Sequence, residues 1–232
     1  MGLRKRSLSL DFAGLFLPRC CTGCDQALMA HEQTLCGECV EDLPRLRSQD
    51  DPGNKVELVF RGRVRLQAAS AFLQFTKDGM VQHLLHRLKY KGERDVGMEL
   101  GRRMAEEVMP SPRFADVDVL VAVPLHRNKE KQRGYNQAQV LVDGMHEVWP
   151  LPRRETGLLR MVHTSTQTRR GRLARWGNVE SAFQPADPES LRNAHVLLVD
   201  DVVTTGATLL SCARALEGIP GIRISVLACA CA

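Results

Sequence analysis

The chain has 232 residues, of which 44% are hydrophobic and 25% are charged. These fractions are ordinary for a globular protein, and the length allows a full α/β core with a small appendage. Because it contains no apolar run of about 18 residues, the sequence excludes a protein with membrane-spanning helices. The net charge is +5. Bases outnumber acids most clearly between residues 123 and 183, which favours anionic ligands there over a merely solvated basic face.

The first residues superficially resemble a secretion signal. A basic start, Arg4-Lys5-Arg6, precedes an apolar stretch. However, Asp11 interrupts that stretch, and no small-residue cleavage site precedes Cys20. We therefore expect a cytoplasmic protein.

Cysteines cluster early in the chain. Cys21 and Cys24 form one C-x-x-C knuckle and Cys36 and Cys39 a second, and eleven residues separate the two. This spacing is typical of four thiolates that surround one Zn²⁺ ion, and metal binding would supply about 10–16 kcal/mol of folding free energy. Disulfides are the alternative, which nothing else in the sequence favours. Cys20 would give a C-x₃-C register, so we interpret it as a spare thiol.

A polar Pro-Gly segment at residues 47–55 predicts a linker. We therefore expect a zinc-finger module with a leader at residues 1–50 and an α/β domain at residues 51–232.

The order of elements in the second part predicts an open, mostly parallel sheet flanked by helices. Apolar patterns indicate a strand at residues 67–75 and helices from Met80 to about Leu88 and from Arg94 to Val108. A second strand is expected at residues 117–123, and a later helix ends near Val148. Cys212, Cys229 and Cys231 are interpreted as small apolar residues of the last helix and strand.

Two basic stretches lie between these elements. A loop at residues 126–137 carries four bases, Arg127, Lys129, Lys131 and Arg133. Ligands of open parallel sheets bind at the carboxyl ends of the strands, so we expect this loop to face a ligand cavity at that edge of the sheet and to hold a diphosphate. Residues 163–178 predict a mobile basic flap with four arginines, Arg169, Arg170, Arg172 and Arg175. A solvated arginine helix is the alternative for that stretch.

Residues 196–209 carry the clearest functional pattern. An apolar run that is typical of a buried parallel strand ends in Asp200 and Asp201, and a turn of small residues then leads into a helix. The free N–H groups and positive end of a helix N-terminus suit a phosphate. Hydroxyl groups and a glycine favour the same ligand. The predicted phosphate-binding residues are Val202, Val203, Thr204, Thr205, Gly206, Ala207 and Thr208.

The two carboxylates would repel a phosphate unless ribose hydroxyls or a phosphate-bound Mg²⁺ ion occupied them. Helix capping alone explains one of these residues but not the whole series. The pattern resembles the loop of type I phosphoribosyltransferases that binds phosphoribosyl diphosphate (PRPP).

Nearly the whole chain is similar to the ComF family of competence-associated proteins. The resemblance rests on the two knuckles, on Lys89-Tyr90-Lys91-Gly92, on residues 133–137, on residues 164–178 and on residues 199–208. Family members often have Phe at the position of Tyr135. The resemblance implies a zinc finger joined to a phosphoribosyltransferase-like domain with an intact PRPP site. It further implies a role in handling incoming single-stranded DNA, with competence-machinery proteins as partners.

Three functions compete. In an active phosphoribosyltransferase, Asp200 and Asp201 would hold the ribose hydroxyls, the following turn the 5′-phosphate and the basic loop the diphosphate, with Mg²⁺. A binding protein would instead use the same site for PRPP or a nucleotide 5′-phosphate and its basic face for single-stranded DNA. Few aromatic residues are present for base stacking, and Tyr135 and Trp176 are the candidates. A PRPP-sensing regulator is the third possibility.

Overall fold

The computed structural model describes residues 19–154, 157–161 and 182–232, and these fall into two compact units. The boundary between the units in the sequence lies after Leu43, earlier than the expected boundary after residue 50. Hydrogen bonds explain the difference. Gln74 N–H donates to Pro44 O at 2.8 Å, and Leu46 N–H donates to Phe72 O at 2.9 Å. The segment therefore pairs with the first strand of the second unit instead of linking the units freely.

The first unit contains one short helix, α1 (Gly37–Glu41), among its described residues. The Cys36 side chain caps this helix by accepting from Cys39 N–H. Buried residues in this part of the chain are few, and three of them are cysteines.

The second unit alternates helices and strands, as the sequence predicts. Its elements, in chain order, are α2 (Lys55–Phe60), β1 (Ala68–Gln74), α3 (Met80–Tyr90), α4 (Arg94–Val108), β2 (Val119–Ala122), α5 (Arg127–Arg133), α6 (Gln137–Val148), β3 (Arg153–Arg154), β4 (Leu158–Arg160), β5 (Phe183–Pro185), β6 (His195–Val203), α7 (Ala207–Leu216) and β7 (Arg223–Cys231). A 3₁₀ turn (Glu189–Leu191) precedes β6.

Five strands form one sheet in the order β1-β7-β6-β2-β3, and every pairing in it is parallel. Strands β4 and β5 form a separate antiparallel pair. From β2 the chain proceeds outward to β3, whereas from β6 it proceeds the other way to β7. The neighbouring carboxyl ends of β2 and β6 therefore mark the topological switch point, where open α/β sheets bind their ligands. The predicted fold class is confirmed.

One predicted loop has a different structure. Residues 127–133 form the helix α5 instead of an open loop. The His126 side chain caps its start by accepting from Asn128 N–H at 3.2 Å, and Gly134 ends it with a φ of +79°. Local capping at both ends therefore stabilises a helix that has no buried face.

Apolar side chains pack against both faces of the sheet. Helices α4 and α6 approach each other closely at Gly101 and Gly144, where a Cβ atom would lie 2.2 Å from a backbone oxygen of the opposite helix. Another cluster joins Val196 and Leu198 of β6 to Leu209 and Leu216 of α7. Strand β6 is therefore buried up to the point where its acidic residues begin.

Within the described ranges, no helix is both long enough and apolar enough to cross a membrane.

Candidate functional site

The four cysteines of the two knuckles lie together in the first unit. The Sγ atoms of Cys21, Cys24, Cys36 and Cys39 all lie within 4.8 Å of one another, and those of Cys24 and Cys36 are 3.7 Å apart. Zinc–sulfur bonds of about 2.3 Å in a tetrahedron place the sulfurs about 3.8 Å apart. All four are free thiols. The cluster could hold a metal ion such as zinc.

Backbone groups favour a thiolate at Cys21. Partial burial acts to raise the pKa of this thiol, but N–H groups of Cys36, Cys24 and Gly23 lower it to about 7. The Cys36 and Gly23 nitrogens lie 3.2 and 3.3 Å from the Cys21 Sγ atom. A Cβ atom at Gly23 would lie 2.9 Å from the Cys39 Sγ atom. The small residue within the first knuckle therefore leaves room for the fourth sulfur.

In the second unit, the two acidic residues lie near the carboxyl end of β6. Asp201 N–H donates to Asp200 Oδ1 at 2.8 Å. Burial, and then the charge of Asp201, raise the pKa of Asp200 to about 8. Lys89 Nζ lies 2.7 Å from Asp201 Oδ2. The pair thus combines a carboxyl group that resists ionisation with one that already has a cationic partner.

The turn after β6 leads directly into α7. Thr204 and Thr205 are exposed, and Gly206 has a φ of +68°. A Cβ atom at Gly206 would lie 2.5 Å from Val59 Cγ1, so both conformation and packing require glycine. No side chain caps α7. The first N–H groups of this helix also have no partner within it, so they are available to an anion.

A cavity of about 210 Å³ lies at the switch point. Of the predicted site residues, it is lined by Lys129, Arg133, Asp200, Asp201, Val202 and Thr208. The structure therefore brings part of the basic stretch to the acidic pair and to the first turn of α7.

Other predicted residues have different positions. Arg127 and Lys131 are exposed on α5 and do not line the cavity. Val203 is buried, and Thr204, Thr205, Gly206 and Ala207 form the turn beside the cavity without lining it. Arg169, Arg170, Arg172 and Arg175 lie outside the described residues.

Four polar residues that line the cavity were not among the predicted site residues, namely Lys89, Asn136, Gln137 and Arg160, although Asn136 and Gln137 end the loop that was expected to face it. Asn136 Nδ2 donates to Val123 O at 3.0 Å, and Arg133 donates to Gln137 Oε1 at 2.7 Å. These contacts fasten the start of α6 to the end of β2 and orient Arg133. Arg160 comes from a short strand whose local pattern gives no sign of a site, and Lys89 belongs to a motif of the family resemblance to which no role in the site was assigned.

The arrangement combines acceptors and cations in one small volume. Carboxyl oxygens can bind hydroxyl groups, while Lys129, Arg133 and Arg160 can bind phosphate oxygens through charge-assisted hydrogen bonds. A ligand with both a sugar and phosphate groups matches this set of side chains.

The chain is similar to one protein-family model and to several curated proteins. A family model described as phosphoribosyl transferase domain matches residues 155–229. The DNA utilization protein YhgH of Salmonella typhi is 29% identical over 136 residues, which cover 57% of this chain and 59% of that protein. Competence protein F of Haemophilus influenzae is 26% identical over 218 residues, which cover 90% of this chain and 89% of that protein. Competence protein ComFC of Bacillus subtilis is 28% identical over 145 residues, with coverages of 61% and 55%.

The chain thus spans about 59% of the length of the YhgH relative. Among solved structures, a glutamine PRPP amidotransferase from B. subtilis, complexed with ADP and GMP, matches with a TM-score of 0.43 and 17% identity. That match covers 61% of this chain and 30% of the other chain.

Proposed function

The chain belongs to the ComF family and carries a phosphoribosyltransferase domain, and from this we propose that it binds PRPP or a nucleotide 5′-phosphate during DNA utilization. One observation carries the proposal. Acidic residues, an uncapped helix N-terminus and several cations converge on a single cavity at the switch point of the sheet. The role in DNA utilization rests on the names of the relatives.

Each part of the ligand has a matching group. The turn from Thr204 to Thr208 and the first N–H groups of α7 would hold the 5′-phosphate. Asp200 and Asp201 would accept hydrogen bonds from the ribose hydroxyls. Lys129 and Arg133 would hold the diphosphate.

Carboxylate and phosphate oxygens are the ligands that Mg²⁺ prefers, so the acidic pair fits a magnesium ion that arrives with PRPP. Bound there, Mg²⁺ would neutralise charge on the diphosphate leaving group. Asp201 pairs with Lys89 in the structure, and a ribose hydroxyl group or Mg²⁺ would replace Lys89 at this carboxylate.

We also propose that Cys21, Cys24, Cys36 and Cys39 hold one structural zinc ion, which is supported by their separations and free thiols. A reducing compartment such as the cytoplasm would keep these thiols available for metal. Single-stranded DNA and competence-machinery proteins are the proposed partners, supported by the relatives' names and by the net charge of +5.

Calorimetric titration with PRPP and Mg²⁺ tests the proposal, and α5 offers a matched pair of variants. Lys129 lines the cavity, whereas Lys131, two residues along the same helix, does not. Lys129→Ala should weaken PRPP binding about tenfold, the effect of losing about 1.4 kcal/mol. Lys131→Ala should leave binding unchanged. Equal effects of the two variants would place the diphosphate elsewhere.

A second variant tests the phosphate site itself. Thr208→Glu places a negative charge in the first turn of α7, where the side chain is exposed and the backbone is unstrained. It should abolish PRPP binding at concentrations that saturate the unaltered protein. Gly206→Glu is less suitable, because its Cβ atom would collide with Val59 and Phe60. Release of diphosphate in the presence of candidate acceptors would then show whether bound PRPP reacts.

A further inference from the structure

Tyr90 is an exposed aromatic residue at the end of α3. Its relative exposure is 62%, whereas the other Phe, Tyr and Trp side chains in the described ranges are buried or half-buried. The preceding residue, Lys89, lines the cavity and contacts Asp201. The ring therefore lies next in sequence to a residue of the candidate PRPP site.

Side-chain contacts connect Tyr90 to the cavity in space as well. The Arg133 guanidinium carbon lies 5.3 Å from the centroid of the Tyr90 ring, and Arg133 also lines the cavity. The ring of His86, one turn earlier on α3, lies 4.9 Å from that of Tyr90 at an interplanar angle of 42°. Two rings and a cation thus form a small cluster beside the cavity, and most of the tyrosine surface still faces solvent.

Tyr135, which the sequence suggested for base stacking, is engaged differently. Its hydroxyl group donates to Leu88 O, and the Arg94 guanidinium lies 4.6 Å from its ring centroid. Tyr135 therefore fastens the segment before α6 to the end of α3. Its half-buried ring is much less available to a ligand than that of Tyr90.

We propose that Tyr90, together with His86, is a stacking site for a nucleobase whose phosphate is held by the cations of the cavity. The inference rests on the proposed function and extends it from the sugar and phosphates to the base. Arg133 contacts the ring, and Lys89 and the exposed Lys91 are its neighbours in the chain, so positive charge beside Tyr90 suits the phosphates of a nucleotide or of a single strand. Aromatic stacking accepts any base, because every base has a π-face.

Paired ligands separate stacking from phosphate binding. Thymidine 5′-monophosphate and adenosine 5′-monophosphate carry a base, and ribose 5-phosphate does not. Tyr90→Ala should weaken binding of both nucleotides roughly 5- to 150-fold, the range reported for loss of one stacked base. The same variant should bind ribose 5-phosphate and PRPP as the unaltered protein does. Tyr90→Phe and Tyr90→Trp, which keep a ring, should restore nucleotide binding.

Met109→Ala is the matched control. Met109 is also a large exposed side chain at the end of a helix, with an exposure of 41%, and it does not line the cavity. This control should leave all affinities unchanged. A 5′-phosphorylated oligothymidylate, titrated alongside the mononucleotides, distinguishes a free nucleotide from a strand as the natural source of the base.

The outcomes are distinct. If PRPP and ribose 5-phosphate bind normally while Tyr90→Ala changes the affinity of neither nucleotides nor oligothymidylate, the stacking site is wrong and the proposed function stands. If the unaltered protein binds none of these ligands, both proposals fail. Equal weakening of ribose 5-phosphate and nucleotides by Tyr90→Ala would also overturn the stacking site, because the effect would then act through the phosphate.

Discussion

The four-cysteine unit and the α/β unit bury very different side chains. Among described residues of the first unit, the buried apolar side chains are Cys21, Leu35, Cys36, Cys39 and Leu43. The second unit buries valines, leucines and phenylalanines on a five-stranded sheet. Apolar burial stabilises by about 25 cal/mol per Å², so it can hold the second unit but not the first. A hydrophobic core therefore stabilises the second unit, whereas the proposed metal site would supply the folding free energy that the first unit lacks.

Removing one of the proposed metal ligands should have the largest effect, and only on the first unit. Cys36→Ser removes a thiolate and weakens the cap of α1. Since structural zinc contributes about 10–16 kcal/mol to folding, the variant should lose its zinc and the unit should unfold. Elemental analysis and limited proteolysis measure these two results, and PRPP binding should persist.

Cys20→Ser is the control for that experiment. Cys20 lies next to the first ligand but outside the four-sulfur cluster, so its variant should retain zinc. Zinc loss in both variants, or disulfides among the four cysteines of the purified protein, would contradict the assignment.

A substitution in the hydrophobic core should destabilise the second unit and leave the first unit unaffected. Phe72 in β1 is fully buried, and Phe72→Ala should lower the free energy of unfolding of the second unit by about 3–5 kcal/mol. Urea unfolding measures the change, and zinc content should stay constant. Leu58→Ala, at a side chain that is 52% exposed, should change stability by less than about 0.5 kcal/mol. Loss of zinc from Phe72→Ala would show that the two units do not fold independently.

A smaller effect is expected where two helices of the second unit meet. Gly101→Ala places a Cβ atom 2.2 Å from Leu141 O. Alanine favours helices by about 1 kcal/mol over glycine, but overpacking typically costs about 1–3 kcal/mol, so we expect net destabilisation. Gly218→Ala is the control, because no atom lies within 4 Å of its Cβ position. A stabilised Gly101→Ala protein would mean that α4 and α6 can move apart at little cost.

Local sequence patterns predicted much of the second unit. The helix from Arg94 to Val108 has the predicted bounds, because apolar spacing defines it and prolines follow it. The acidic pair and the glycine turn were recognisable because strand, turn and helix signals follow one another directly. The cysteine cluster was recognisable from spacing alone.

Properties that depend on distant elements were not predictable in this way. No periodicity distinguishes Lys129, which lines the cavity, from Lys131, which does not. The contact between Lys89 and Asp201 joins a helix end to a strand far along the chain. The close approach of α4 and α6 at Gly101 likewise depends on tertiary packing, which a single glycine in a helix does not reveal.

The smallest effect, counted per unit of pH, is a dependence of stability on pH that has opposite signs in the two units. Burial and the Asp201 charge raise the pKa of Asp200 to about 8, whereas an aspartate in an unfolded chain has a pKa of about 3.9. Between these values the folded unit keeps a proton that the unfolded chain has released. Its free energy of unfolding therefore falls as pH rises, by at most about 1.4 kcal/mol per pH unit. The stabilisation is complete below about pH 4 and is lost as pH rises through about 8.

Asp200→Asn cannot titrate, so urea unfolding of this variant between about pH 6 and pH 8 should show a flatter dependence than the unaltered protein. Asp187→Asn, at an exposed position that does not line the cavity, should keep the original slope. The first unit should respond in the opposite direction, because thiolates must be deprotonated to bind metal and acid therefore weakens it. Parallel pH curves for Asp200→Asn and the unaltered protein would show that Asp200 is ionised in the folded unit. The cavity would then present two negative charges to its ligand, and the demand for cations from Lys89, Lys129, Arg133 and Mg²⁺ would be correspondingly greater.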